Sequence, residues 1–95
     1  MPNAAYKKGL RNEHRSIAFL EAAGYRCIRS AGSHGEWDIW AVGAHDFVFC
    51  QTRTRDWPGP VERQMLAEWG PCPKNTRKLL HRWRNGQRHP DVMEL

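Results

Sequence analysis

From Lys8 to Ala23 the apolar residues Leu10, Ile17, Ala18 and Leu20, with Phe19 beside them, recur at roughly the helical period. The pattern predicts one helix, ended at Gly24, a residue that accepts a left-handed backbone. Tyr25 to Arg29 alternates like a short strand, and Ser30 to Gly35 is a small, polar break. Glu36 to Val42 and Phe47 to Thr54 predict two strands joined by the hairpin loop Gly43-Ala44-His45-Asp46. After a turn from Arg55 to Pro60, Val61 to Trp69 reads as a short amphipathic helix with Met65, Leu66 and Trp69 on its apolar side, ended by Gly70-Pro-Cys-Pro73. Asn75 to Gly86 reads two ways, as a helix capped by Asn75 or as a strand entering a tight turn at Asn85-Gly86. The hairpin is preferred, with strands from Arg77 to Arg84 and Gln87 to Leu95, the second at a sheet edge because of Pro90.

The central hairpin has a testable register. If Val42 pairs with Phe47, then Trp40 falls opposite Phe49, Asp38 opposite Gln51 and Glu36 opposite Arg53. Directly opposed residues share a face, so Asp38, Gln51 and Arg53 are expected to project together beside Trp40, Phe47 and Phe49. Ile39, Ala41, Val48 and Cys50 line the other face, which predicts a sheet covered on both sides. Within such a cluster Asp38 either accepts hydrogen bonds from its neighbours and does nothing more, or carries chemistry with them. Glu13, one turn before Ile17, stands at the margin of the helix's apolar face, as a solvated acid or one aimed at something.

A chain of 95 residues, 40% hydrophobic and 26% charged, is expected to form one globular domain of the α/β class. No apolar run approaches the roughly 18 to 20 residues of a membrane span, and Met1 to Arg11 is polar, which predicts no membrane association and, by default, a cytoplasmic address. Fifteen Lys and Arg against ten Asp and Glu leave a formal charge of +5. Arginine's planar fork suits phosphate, so its excess over lysine points to a nucleic-acid partner, with plain solubility as the alternative. Arg77, Lys78, Arg82, Arg84 and Arg88 form the densest basic segment, a candidate phosphate track beside Trp83 or a solvated edge. Cys27, Cys50 and Cys72 are widely spaced with no CxxC pair, so neither a disulfide framework nor a zinc site is indicated, and buried or idle thiols are expected.

Tyr6-Lys-Lys-Gly9, Glu13, Gly24-Tyr25, Ile28-Arg29-Ser30-Ala31-Gly32-Ser33, Asp38 and Phe49-Cys50-Gln51-Thr52-Arg53 resemble, in order and spacing, the archaeal-type Holliday junction resolvases of the restriction-endonuclease-like PD-(D/E)XK superfamily. The resemblance covers about residues 5 to 55, and Arg29 to Ser33 is its most specific stretch. It implies a restriction endonuclease-like fold, with the N-terminal helix packed on a small mixed sheet and a second short helix. It also implies Mg²⁺, with Mn²⁺ as a substitute, held by Glu13, Asp38, Gln51 and the Thr52 backbone carbonyl. By the same likeness Arg53 takes the place of the superfamily's lysine, Arg29 and Ser33 lie near the scissile phosphate, and Lys7, Lys8, Arg11, Ser30, His34 and Arg55 join Arg82, Arg84 and Arg88 in binding DNA. A hard cation on oxygen ligands polarises the phosphate and readies a water, which is what phosphodiester hydrolysis needs.

Three departures bear on that expectation. Gln51 stands where the family carries an acid, removing one negative charge from the metal site while keeping a carbonyl oxygen. Arg53 stays protonated and cannot act as a base, though its charge can stabilise a transition state. Glu36 would neutralise that arginine or lend a substitute carboxylate, and His34 would supply an acid or base. His14 stands where the resolvases often carry arginine. The expected activity is metal-dependent hydrolysis of DNA, branched or four-way junctions first, by a two-fold homodimer; the alternative is a nuclease fold that binds DNA or a protein without cutting. Small stand-alone nucleases of this kind often come from phages.

Overall fold

The computed structural model describes residues 4–30 and 35–95. Helix α1 spans Ala4–Ala22 and precedes strands β1 (Arg26–Arg29), β2 (Ile39–Val42) and β3 (Phe47–Arg53); helix α2 (Pro60–Glu68) then leads to β4 (Thr76–Arg82) and β5 (Asp91–Glu94). The five strands form one sheet in the order β1-β2-β3-β4-β5. The pairs β1/β2, β2/β3 and β4/β5 are antiparallel, and β3/β4 is parallel, bridged by the crossover through α2. The α/β class and the helix-strand order expected from the sequence are present.

Helix α1 begins four residues earlier than its apolar pattern, and its buried line joins Leu20 of the expected stripe to the polar Asn12 and Ser16, with Ile17 packed partly buried against the same core. Spacing of four places these three on one line along the helix, which rests on β1, β2 and β3. Ala18, expected inside, is exposed. Gly24, at φ 98°, ends the helix while the Tyr25 amide donates back to the Leu20 carbonyl. Tyr25 lies against Gly43 of the β2-β3 loop and donates its hydroxyl to Asp46 at 2.8 Å. A Cβ on Gly43 would come within 2.7 Å of the Tyr25 ring, so only glycine fits that turn.

Side chains alternate across the strands, and each face has its own core. On the α1 face Leu20, Ile39, Ala41, Val48, Cys50 and Leu79 form one buried cluster. On the opposite face Trp37, Leu66 and Leu80 are buried with Phe49, Trp57, Trp69, Met93 and Leu95 packed around them. Burying each of these large side chains contributes on the order of 1.5–3 kcal/mol. The sheet is thus covered on both sides as expected, except that Ile28, Trp40, Val42 and Phe47 on the α2 side of β1, β2 and β3 stay substantially exposed. The thiols of Cys27, Cys50 and Cys72 are all free, and Cys50 sits fully in the core. No helix among the described residues is long and apolar enough to cross a membrane.

Two strand expectations are corrected. The one from Glu36 to Val42 is reduced to Ile39–Val42, and Trp37 ahead of it packs near Phe49 and Trp69, with ring centroids 5.9 Å from each. Asn75 to Gly86 is not a helix; its residues from Thr76 to Arg82 form β4, and the tight turn at Asn85-Gly86 is present with Gly86 at φ 80°. The return strand is Asp91–Glu94 and not Gln87 to Leu95. Ahead of it, Gln87 is occupied by the turn: its side chain accepts from the Arg84 amide and donates to the Arg82 and His89 carbonyls. Pro90 lacks the N–H a ladder would use. As expected, the strand that follows it is an edge.

Candidate functional site

The end of the sheet where β2 begins decides the site. Register in the β2-β3 hairpin is as expected for Val42 with Phe47 and Trp40 with Phe49, and pairing runs to Ile39 with Cys50. There the Asp38 amide donates to the Cys50 carbonyl at 2.9 Å, so Asp38 and Ile39 both stand against one residue of β3. Such a β-bulge re-aims a side chain, and it turns Asp38 toward the α1 face instead of the face of Gln51. One carboxylate oxygen, Oδ2, accepts the Thr52 amide at 2.8 Å and the Thr52 hydroxyl at 3.2 Å. The expected grouping of Asp38 with Gln51 and Arg53 on one face is therefore corrected. Simple alternation placed it there, and the bulge interrupts the alternation.

Across from Asp38, α1 supplies Glu13. The two carboxylates line one cleft of about 350 Å³ with Tyr6, Gly9, Arg29 and Ser30. The Arg29 guanidinium lies 3.8 Å from the Glu13 carboxylate. Burial raises the Glu13 pKa above the ordinary glutamate range, and the nearby Asp38 charge raises it further, against the opposing effects of Arg29 and His14. Burial likewise raises that of Asp38, only partly offset by the Thr52 hydrogen bonds and the charge of Arg53. Two acids held near one another out of bulk water, each reluctant to ionise, gain from a cation between them.

Gln51 and Arg53 follow Phe49 onto the α2 face. Gln51 donates Nε2 to the Glu36 carbonyl at 3.0 Å, while its Oε1 is buried and meets no hydrogen-bond donor among the described residues. Arg53 lies 3.7 Å from Glu62 of α2 and donates to the Asp56 carbonyl. Glu36 meets Gln51 through its backbone, so it is Glu62 and not Glu36 that faces Arg53 with a carboxylate. Ser33 and His34 lie outside the described residues.

Of the basic candidates, Lys7, Arg11, Arg55 and Arg88 are exposed. The phosphate track expected along the last hairpin is broken up. Arg77 pairs with Glu94 at 2.7 Å, Lys78 donates to the Ala67 and Trp69 carbonyls at the end of α2, and Arg82 pairs with Asp91 at 3.0 Å while stacking 4.5 Å over Trp57. Alternation along β4 and its acidic partner on β5 absorb these charges. Arg84, which also reaches Asp91 at 3.2 Å, and Arg88 remain near the turn. There α1 adds Lys8, Arg11 and Arg15. Arg15 and Asn12 were not singled out in the sequence, although Lys8, Asn12 and Arg15 recur at helical spacing, which was the available signal.

The cleft itself offers a hard cation two carboxylates, Glu13 and Asp38, while Gln51, whose Oε1 is buried without a donor among the described residues, stands on the other face and neither it nor Thr52 lines the cleft. The cleft is lean in charge, since no group of three or more His, Cys, Asp or Glu suited to a metal ion occurs among the described residues. In comparison with known proteins, no family model matches the chain and no curated protein matches it.

Proposed function

We propose that this domain is a metal-dependent endodeoxyribonuclease with a restriction endonuclease-like fold, acting on branched DNA of the four-way-junction type. The observation that carries the reading is the meeting of Glu13 and Asp38, distant in sequence, in one cleft beside Arg29. Mg²⁺, or Mn²⁺ in its place, would be held by these two carboxylates, and when bound it supplies Lewis-acid polarisation of the phosphate and a readied water. Thr52 fixes Asp38 through two hydrogen bonds to one oxygen, leaving Oδ1 for a ligand. Arg29, at the rim, offers its fork to the phosphate once Glu13 is otherwise neutralised. Both carboxyls ionise above their ordinary range, so activity should climb with pH through and beyond that range. A homodimer would cover Ile28, Trp40, Val42 and Phe47 and supply the paired sites that symmetric resolution needs.

The test is cleavage of a labelled four-way junction and its matching duplex with Mg²⁺, with Mn²⁺ and with chelator. Paired nicks that vanish with chelator support the reading, and Asp38→Asn should then lower the rate by about 100-fold or more. Full cleavage by that variant would sink the assignment. A second reading, a fold that binds DNA without cutting, is favoured by Arg53 facing Glu62 and by the lack of a third acid among the described residues. Tight junction binding with no nicks under either metal would decide for it.

A further inference from the structure

On the flank of α1 opposite Glu13, Lys8, Arg11, Asn12 and Arg15 face the turn after β4 across a cleft of about 300 Å³, whose far wall includes Trp83 and Arg84. No Asp or Glu lines it. Lys8 donates to the Asn85 side-chain oxygen at 2.7 Å, a neutral partner. Arg15 is held in place: its guanidinium stacks 4.1 Å over the Trp83 ring and donates to the Gln87 carbonyl. Trp83 is itself pinned by its indole N–H, which donates to Ser16 at 2.7 Å. Asn12, only 3% exposed, forms part of the wall, and its Nδ2 meets no acceptor among the described residues. Among the described residues none of Lys8, Arg11, Arg15 and Arg88 has a carboxylate within ion-pair distance.

Cations converging on one cleft repel each other, and that repulsion is relieved by an anion more than by water. A guanidinium already fixed by a tryptophan face and a carbonyl loses little freedom when it takes a ligand. Lys8, Arg11 and Arg15 suit phosphate oxygens in particular, beside Arg84, whose guanidinium already meets Asp91 at 3.2 Å. The cations also form a row. Lys8 to Arg15 rises about 10 Å along the helix at 1.5 Å per residue. Past Arg15 and Trp83 the cleft adjoins a hollow of about 310 Å³ that adds Arg88 and His89, again with no acid. Such a row outruns a single ion.

We propose that this cleft is a phosphate subsite that holds the sugar-phosphate backbone of a nucleic-acid strand on the side of α1 away from Glu13 and Asp38. The inference rests on the nucleic-acid part of the proposed function and not on cleavage. A strand seated there lies against the same stretch of α1 that carries Glu13, so the helix presents a holding flank and a reacting flank to one substrate.

The experiment is fluorescence anisotropy of labelled duplex and four-way junction across a salt series, with wild type, the double variant Lys8→Glu/Arg11→Glu, and Lys74→Glu as a single charge reversal near the opposite end of β4. The double variant should bind at least about tenfold more weakly near 100 mM salt, and its salt slope should fall by about 2, at roughly 0.9 per phosphate contact. Arg15→Lys, which keeps the charge but gives up the fork, should lose affinity without a change in slope of that size. Lys74→Glu should lose less than half as much in log affinity as the double variant; a loss of half or more, or an unaffected double variant, overturns the cleft. Inorganic phosphate that binds wild type but not the double variant, while DNA affinity is equal in both, would reassign the cleft to small phosphates and overturn the strand. Wild type that binds and does not cut sinks the nuclease and leaves the cleft standing; wild type that does not bind sinks both.

Discussion

The two faces of the sheet are built on different principles. The α2 face is aromatic at its centre: Trp37, Phe49 and Trp69 meet with centroids 5.2–5.9 Å apart, and Leu66, Leu80 and Met93 close around them. The α1 face is apolar at Leu20 and Val48 but passes into polar residues toward the C-terminal ends of β3 and β4, where Ser16, His81, Thr52, Asp38 and Glu13 lie under or beside the helix. Burial of polar groups costs stability unless hydrogen bonds repay it, so the second face spends part of what the first supplies. Carboxylates with raised pKa values are found on the face whose packing is interrupted.

The largest effect is expected at the aromatic centre of the α2 face. Trp37→Ala removes a side chain that is 2% exposed and should cost about 3–5 kcal/mol, read as a drop in the urea midpoint with little change in slope. That is a large share of the roughly 5–15 kcal/mol that a domain has.

Acid tests the polar face next. His81 is fully buried, and burial lowers its pKa from 6.5 to about 4. The unfolded chain therefore takes up the proton first. Stability is fully present above about pH 6.5 and is lost as pH falls toward 4, by about 3 kcal/mol at 1.36 per unit. Denaturant titrations at pH 7 and pH 4 should show that loss diminished in His81→Gln; an equal loss in both would assign it to other groups.

Ser16→Ala follows at about 1–3 kcal/mol, because it strands the indole N–H of Trp83 and the Nδ1 of His81, which now meet its hydroxyl at 2.7 and 2.9 Å. Ser16→Thr would sharpen the result, since it keeps the hydroxyl and adds only a methyl group. The smallest effect belongs to the exposed edge. Arg77→Ala gives up contacts with Glu94 and Asp46 at 45% side-chain exposure and should cost less than about 1 kcal/mol, lessened further by salt.

Much of the fold was legible. Alternation through Ile39–Val42 and Phe47–Arg53 set the register of the central hairpin, the Asn85-Gly86 pair marked the turn between β4 and β5, and Gly24 marked the helix end. The face of α1 was legible only at Leu20 and Ile17, because Asn12 and Ser16 are polar residues that hydropathy assigns to solvent. Here Ser16 is buried because Trp83 and His81, distant in sequence, provide its partners.

The candidate site divides the same way. The residue types, acids with an amide and arginines in a particular order, stand in the chain itself, and with them the expectation of phosphate chemistry. Which of them meet was decided by one extra residue against Cys50, which turned Asp38 toward Glu13 and away from Gln51. Local sequence sets periodicity, turns and charge because these depend on neighbours a few positions away. A bulge, a buried serine and a cleft between α1 and a distant turn depend on partners that only the closed sheet brings within hydrogen-bonding reach.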